Sequence, residues 1–109
     1  MRTKNPIEFC KIDVESISQP YIETQTPEQV NRMADSIIET GELIIPLLVR
    51  QTGLITYEVL NEWNNILNFC ASKEAKKRDP RKFEMVNAFV VTDNKIEDVV
   101  NQITLFFLD

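Results

Sequence analysis

Histidine is missing from all 109 residues. Its absence removes Ser-His and Cys-His nucleophilic arrangements, imidazole proton shuttles and the common zinc sites. Glycine is nearly as scarce, with only Gly41 and Gly53. A Walker loop or a GxGxxG fingerprint needs several glycines close together, so neither is present. Long apolar runs are lacking too, since Pro46 or polar residues interrupt each one, and no membrane span is expected. The opening residues MRTKNPIEF hold no apolar signal core, which favours a cytoplasmic protein. The two cysteines, Cys10 and Cys70, stand far apart and read as buried thiols, not as a disulfide or a metal site. No cofactor and no metal is expected.

What remains is the composition of one soluble globular domain, 43% hydrophobic and 27% charged. The order of its elements, given below, is that of an α/β domain with a mixed sheet. The net charge is −5, and it is unevenly spread. Residues 1–60 carry five basic and nine acidic side chains, whereas KEAKKRDPRK, Lys73 to Lys82, carries six basic against two acidic. Nucleic-acid binding over the whole surface is disfavoured, because phosphate contacts dominate such affinity. Only the cluster Lys73, Lys76, Lys77, Arg78, Arg81 and Lys82 could hold phosphate, and weakly; its other reading is a complement to a helix dipole.

The order of elements reads β-α-β-β-α-β-α. IEFCKIDV is the first strand, and SISQPYIETQ the loop after it. Thr26-Pro27-Glu28-Gln29 forms a capping box with proline at the first helical position. Val30, Met33, Ala34, Ile37 and Ile38 then share one helical face, and Gly41 is the natural stop. IPLLVRQ and LITYEVL read as two strands joined at Thr52-Gly53. A second helix is predicted from about Glu62 to Arg78, with Trp63, Ile66, Leu67, Cys70 and Ala71 on its apolar side. FEMVNAFVV is a buried strand, and a third helix follows whose inner face is Ile96, Val99, Val100 and Ile103.

The junction between the Tyr57–Leu60 strand and the second helix is where α/β proteins often hold a phosphate or a catalytic group. Here it holds neutral amides: Asn61, Asn64 and Asn65, with Asn68 one turn later. At 100° per residue they form a stripe opposite the Trp63–Ile66–Leu67–Cys70 face. Asn61 suits the N-cap and Glu62 the positive helix terminus. The other amides read as a solvated helix face, as a polar contact surface for a partner or ligand, or as a remnant of catalysis. Arg50 and Glu58 sit on neighbouring strands, where a cross-strand ion pair competes with a ligand-facing arginine and a general base.

Taken together, PEQVNRMADSIIETGELIIPLLVRQTGLITYEVL resembles the N-terminal domain of the ParB family, whose fold is shared with sulfiredoxin. Ser36-Ile37, Gly41, Pro46, Val49-Arg50 and Tyr57-Glu58 match the family pattern, and the resemblance covers roughly residues 9–105. It implies a ParB/sulfiredoxin-like fold and a link to plasmid or chromosome partition. It also implies that the box after the Tyr-Glu strand should grip nucleotide phosphate, or support phosphotransfer as in sulfiredoxin. In this chain Glu62 stands where the box glycine belongs, and Asn64 and Asn65 where the arginines belong. Arginine offers phosphate a charged fork; asparagine offers a neutral amide. Neither cysteine lies in the box where sulfiredoxin has its reactive one.

The resulting expectation is a non-catalytic ParB-like binding module, with Arg50, Glu58, Asn61, Glu62, Asn64 and Asn65 as candidate ligand contacts. Two alternatives stand beside it. One is a nuclease or nucleotide hydrolase using Arg50, Glu58 and Glu62; the other is a bare self-association module. TLFFLD supports contact with a protein partner or a second copy. Phe107 continues the inner face of the third helix, Phe106 lies about 100° away, and Leu105 and Leu108 flank them.

Overall fold

Local signals dictate the first helix most directly. In the structure, a computed structural model that describes residues 7–19, 25–61 and 64–91, helix α1 runs Pro27–Thr40. The Thr26 hydroxyl accepts the Gln29 N–H at 3.2 Å, and the Gln29 side chain accepts the Thr26 N–H at 3.3 Å. The capping box is therefore closed in both directions. Gly41 ends the helix at φ 89°, a left-handed conformation in which a side chain is strained. Ala34 and Ile37 are buried, with Met33 and Ile38 packed beside them, as the spacing predicts.

Among the described residues, five strands form one mixed sheet in the order β1-β5-β3-β4-β2. They are β1 Ile7–Asp13, β2 Ile17–Ser18, β3 Leu47–Gln51, β4 Tyr57–Val59 and β5 Met85–Val91. β1 pairs antiparallel with β5, β5 parallel with β3, β3 antiparallel with β4, and β4 parallel with β2. Helix α2, Asn65–Arg78, connects β4 to β5 and packs against α1. The main core lies between the helices and one sheet face, where Ile66 and Phe69 meet Leu47, Val49, Val59, Val86, Ala88 and Val90. Alternation sends Leu48, Leu60 and Val91 to a second cluster on the reverse face, with Ile7 and Phe89 beside them. No described helix is long and apolar enough to cross a membrane.

Several sequence expectations change. The stretch assigned to loop contains β2, and the first strand ends at Asp13, which caps a 3-10 turn, Val14–Ser16. A two-residue strand is too short to show a period of two. The β3–β4 connection is longer than Thr52-Gly53: Leu54 and Ile55 belong to it and are 91% and 74% exposed. Thr52 and Gly53 donate their N–H groups to the Thr56 carbonyl and close the loop. The third helix, Glu62 and Trp63 lie outside the described residues.

The largest revision concerns α2. Its first residue is Asn65, and its N-cap is Asn64, which makes no side-chain capping bond; Asn61 is exposed and is not the cap. Asn65 and Asn68 are not on a solvated face but buried, at 4% and 8% exposure. Leu67 and Cys70 are only half-buried, while Phe69, Ser72 and Ala75 join Ile66 and Ala71 inside. The reason is that α2 packs on both the sheet and α1, so its buried arc spans roughly 220° at 100° per residue. A single apolar stripe does not describe such a helix.

Asn65 is buried because it completes the sheet. Beyond the Val49–Val59 pair, the antiparallel register continues to Leu48 and Leu60. Leu60 N–H donates to the Leu48 carbonyl at 3.1 Å, as in an ordinary ladder. The reciprocal bond is replaced by a side chain. Leu48 N–H donates to Asn65 Oδ1 at 2.9 Å, and Asn65 Nδ2 donates to the Leu60 carbonyl at 2.5 Å and to the Leu48 carbonyl at 2.7 Å. One amide thus ties β3, the end of β4 and the first turn of α2 together. Asn68 is its opposite: its buried Oδ1 has no hydrogen-bond donor among the described residues.

These two asparagines should respond differently to truncation. Asn65→Ala leaves the Leu48 N–H and the Leu60 carbonyl buried without their partner, at about 1–3 kcal/mol for each group. A loss of about 3 kcal/mol in urea denaturation is expected. Asn68→Ala removes an acceptor that is already unsatisfied and should cost less than about 1 kcal/mol. Equal losses would contradict the assignment of Asn65 as the ladder's missing link.

Candidate functional site

The strand–helix junction brings together some of the residues that the sequence singles out, and turns others away. Arg50 on β3 faces Glu58 on β4 in direct register. Their ion pair is formed, with Nη2 donating to Oε1 at 2.7 Å, which supports the cross-strand reading. The pair is open to solvent, so its contribution to stability is small, on the order of 0–1 kcal/mol. Its effect on binding is larger, because an anion approaching Arg50 meets the Glu58 carboxylate beside it.

Asn61 and Asn64 are exposed, at the end of β4 and ahead of α2. Asn65 shares the junction but offers a ligand little, since both amide atoms are committed to backbone. An asparagine here satisfies peptide groups with a neutral side chain, whereas an arginine in the same buried pocket would carry an unpaired charge. The signal that could have revealed this is the repeated asparagine itself. Asparagine is a poor helix former, so its clustering inside a helix calls for a compensating tertiary role.

The cation segment disperses. Lys76, Lys77 and Arg78 occupy the last turn of α2, where cations complement the helix dipole. Lys76 bonds Glu15 at 3.1 Å and lies 3.9 Å from Asp13, beside the 3-10 turn. Arg78 reaches α1, where Nη1 meets Asp35 at 2.5 Å and Nη2 meets Asn31 at 3.1 Å; its Nε meets Glu74 at 3.1 Å. These hydrogen bonds, Asp35 first and Glu74 second, raise the guanidinium pKa above its ordinary value. Lys73 lies over the Phe69 ring at 5.3 Å and Lys82 over Phe83 at 5.6 Å. Lys77 and Arg81 are exposed, with no carboxylate within 4.0 Å among the described residues. The six cations therefore do not form one phosphate-facing surface.

Neither thiol stands at the junction's β4–α2 turn. Cys10 lies on the edge strand β1, and burial, with Glu8 adding to it, pushes its pKa up. A raised pKa keeps the thiol protonated and unreactive. Cys70 faces Gln19, next to β2 at the other edge of the sheet, with Sγ 3.8 Å from Oε1. Among the described residues neither cysteine is in a disulfide. Among the described residues no three His, Cys, Asp or Glu side chains are grouped to hold a metal. The apolar residues Leu105, Phe106, Phe107 and Leu108 lie outside the described residues.

No protein-family model matches the sequence, and no curated protein is similar to it in sequence. Solved structures are similar in fold. Sulfiredoxin from Arabidopsis thaliana superposes with a TM-score of 0.57 and 18% identity, over 79% of this chain and 86% of that one. SbnI with a C-terminal truncation, from Staphylococcus aureus, gives 0.56 and 17%, over 81% and 31%. The C-terminally truncated chromosome-partitioning protein ParB from Caulobacter crescentus, complexed with CTP-γ-S, gives 0.59 and 16%, over 82% and 47%. The chain thus spans about a third of the SbnI structure and about half of the ParB structure. At such identities the likeness is one of backbone arrangement: this five-stranded mixed sheet with its two helices is the ParB/sulfiredoxin fold.

Proposed function

We propose that the chain is a non-catalytic ParB-like binding module. It acts in the cytoplasm, in plasmid or chromosome partition or another form of DNA maintenance, through a protein partner or a second copy of itself. The observation that carries this reading is the position of Asn65. By resemblance to the ParB family, a box arginine belongs there to grip nucleotide phosphate. In this chain the amide is consumed by Leu48 and Leu60 backbone groups. The pairing of Arg50 with Glu58 supports the same reading, because the remaining arginine at the junction is already neutralised.

The partition context rests on the likeness in fold to the Caulobacter ParB, whose structure holds CTP-γ-S. Nucleic acid is a weak partner in this reading. Lys76 and Arg78 are engaged by carboxylates, and the net charge of −5 opposes a polyanion. The alternative is a phosphate-ester enzyme of the same fold, built on Arg50, Glu58 and Glu62, and it requires nucleotide binding.

Titration calorimetry with CTP or ATP and Mg²⁺ separates the two. The expected dissociation constant is no tighter than about 1 mM, equivalent to about −4 kcal/mol. A micromolar constant would overturn the non-catalytic reading in favour of the enzyme. We assign the partner surface to Leu105, Phe106, Phe107 and Leu108, since on a helix Phe106 and Phe107 would lie about 100° apart, which one stripe does not easily hold. A two-fold dimer is the simplest closed assembly. Phe106→Ser should then shift sedimentation from dimer to monomer with little loss of helical signal. Monomeric behaviour of the unmodified chain at about 100 μM would contradict self-association through this segment.

A further inference from the structure

A cavity of about 230 Å³ opens away from the strand–helix junction, beside the C-terminal half of α2. Its floor is apolar and belongs to the core: Val14, Ile37, Leu43, Phe83 and Val86 are all buried. Exposed charged groups surround it, Lys11 from β1 with Arg81 and Lys82 from the turn after α2, against Glu42 and Glu84. An apolar floor beneath a charged rim suits a ligand with a hydrocarbon body and an ionised end.

The state of each rim group decides the sign of that end. Glu42 is engaged, its Oε2 accepting an Asn87 N–H at 3.2 Å, while Asn87 also donates to the Leu43 carbonyl at 3.2 Å. Lys82 rests over the Phe83 ring at 5.6 Å. Lys11 and Arg81 have no carboxylate within 4.0 Å among the described residues, and Glu84 no cation, so the rim holds three cations against two carboxylates. Basic groups on the rim outnumber acidic ones, and the guanidinium of Arg81 is suited to a bidentate contact with a carboxylate. A nucleic-acid strand needs an extended cationic track and would gain nothing from the aliphatic floor, so the shape favours a small molecule.

We propose that this cavity binds a small organic carboxylate, its hydrocarbon body on the Phe83–Ile37 floor and its anionic end at Arg81 and Lys11. A cavity of about 230 Å³ lies below the range of drug-sized pockets, about 300–1,000 Å³, which suits a short-chain acid such as hexanoate. The site is independent of the strand–helix junction, so it stands or falls separately from the nucleotide titration above.

The test is an NMR titration of the full chain with sodium hexanoate, hexylammonium and 1-hexanol, which share one hydrocarbon tail and differ in charge. Hexanoate should shift the Arg81–Asn87 amides saturably, with a dissociation constant of about 1 mM or tighter, within reach for a ligand of this size. Hexylammonium and hexanol should bind at least about tenfold more weakly, the difference being the lost charge-assisted contact. Arg81→Glu, in an exposed turn, should weaken hexanoate by tenfold or more. Lys77→Glu makes the same change of charge at an exposed position outside the cavity and should leave binding unchanged. The proposal is overturned if hexanoate causes no saturable shift up to about 20 mM, if hexanol binds equally well, or if the Lys77 variant weakens binding as much as the Arg81 variant.

Discussion

Everything around the strand–helix junction depends on one side-chain amide standing in for a peptide bond. The β3–β4 ladder runs out at Leu60, which donates to Leu48 but does not receive its N–H in return. Asn65 fills the gap with an acceptor for Leu48 and donors for Leu48 and Leu60. An asparagine side chain has the same C=O and N–H geometry as the backbone, so a primary amide fits a site shaped for a peptide. The bonds also fix where α2 begins. The helix cannot start until the chain has turned far enough for residue 65 to point back into the sheet.

That constraint bears on what the junction can bind. A phosphate site at this junction would need the helix N-terminus, its free N–H groups and a cationic fork presented together. Here the side chain of Asn65, the first residue of α2, points inward and is neutral. The nearby arginine is shared with a carboxylate on the neighbouring strand, at 2.7 Å. Two of the basic residues of α2 join the helix to its surroundings, Lys76 through Glu15 and Arg78 through Asp35. At the cavity rim, by contrast, Lys11 and Arg81 stand without carboxylate partners among the described residues.

The fold was legible wherever its cause was local. Thr26, Pro27 and Gln29 specify a helix start within four residues, and Gly41 specifies its end, so α1 could be read directly. The Arg50–Glu58 pair followed from hairpin register. The family pattern across Ser36–Glu58 pointed to the same arrangement of strands that the solved ParB and sulfiredoxin structures display. What could not be read was non-local. Asn65 lies 17 residues from Leu48, and its burial is decided by a ladder that lacks one bond. A helix buried on two sides shows no clean stripe, which is why Asn68, Ser72 and Phe69 were hidden from a periodicity argument. The cavity draws on β1, α1, α2 and β5, and no short motif marks it.

The amide proton of Leu48 tests this account most directly. In an antiparallel ladder that ended at Val49, that proton would face no acceptor and would exchange with solvent on local opening. If Asn65 Oδ1 holds it at 2.9 Å in a buried site, its exchange should require unfolding of the whole sheet. Native-state hydrogen exchange should therefore place Leu48 with the slowest amides of β3 and β5, at a protection free energy close to the global value. Exchange of Leu48 as fast as that of the exposed Leu54–Ile55 loop would contradict the account.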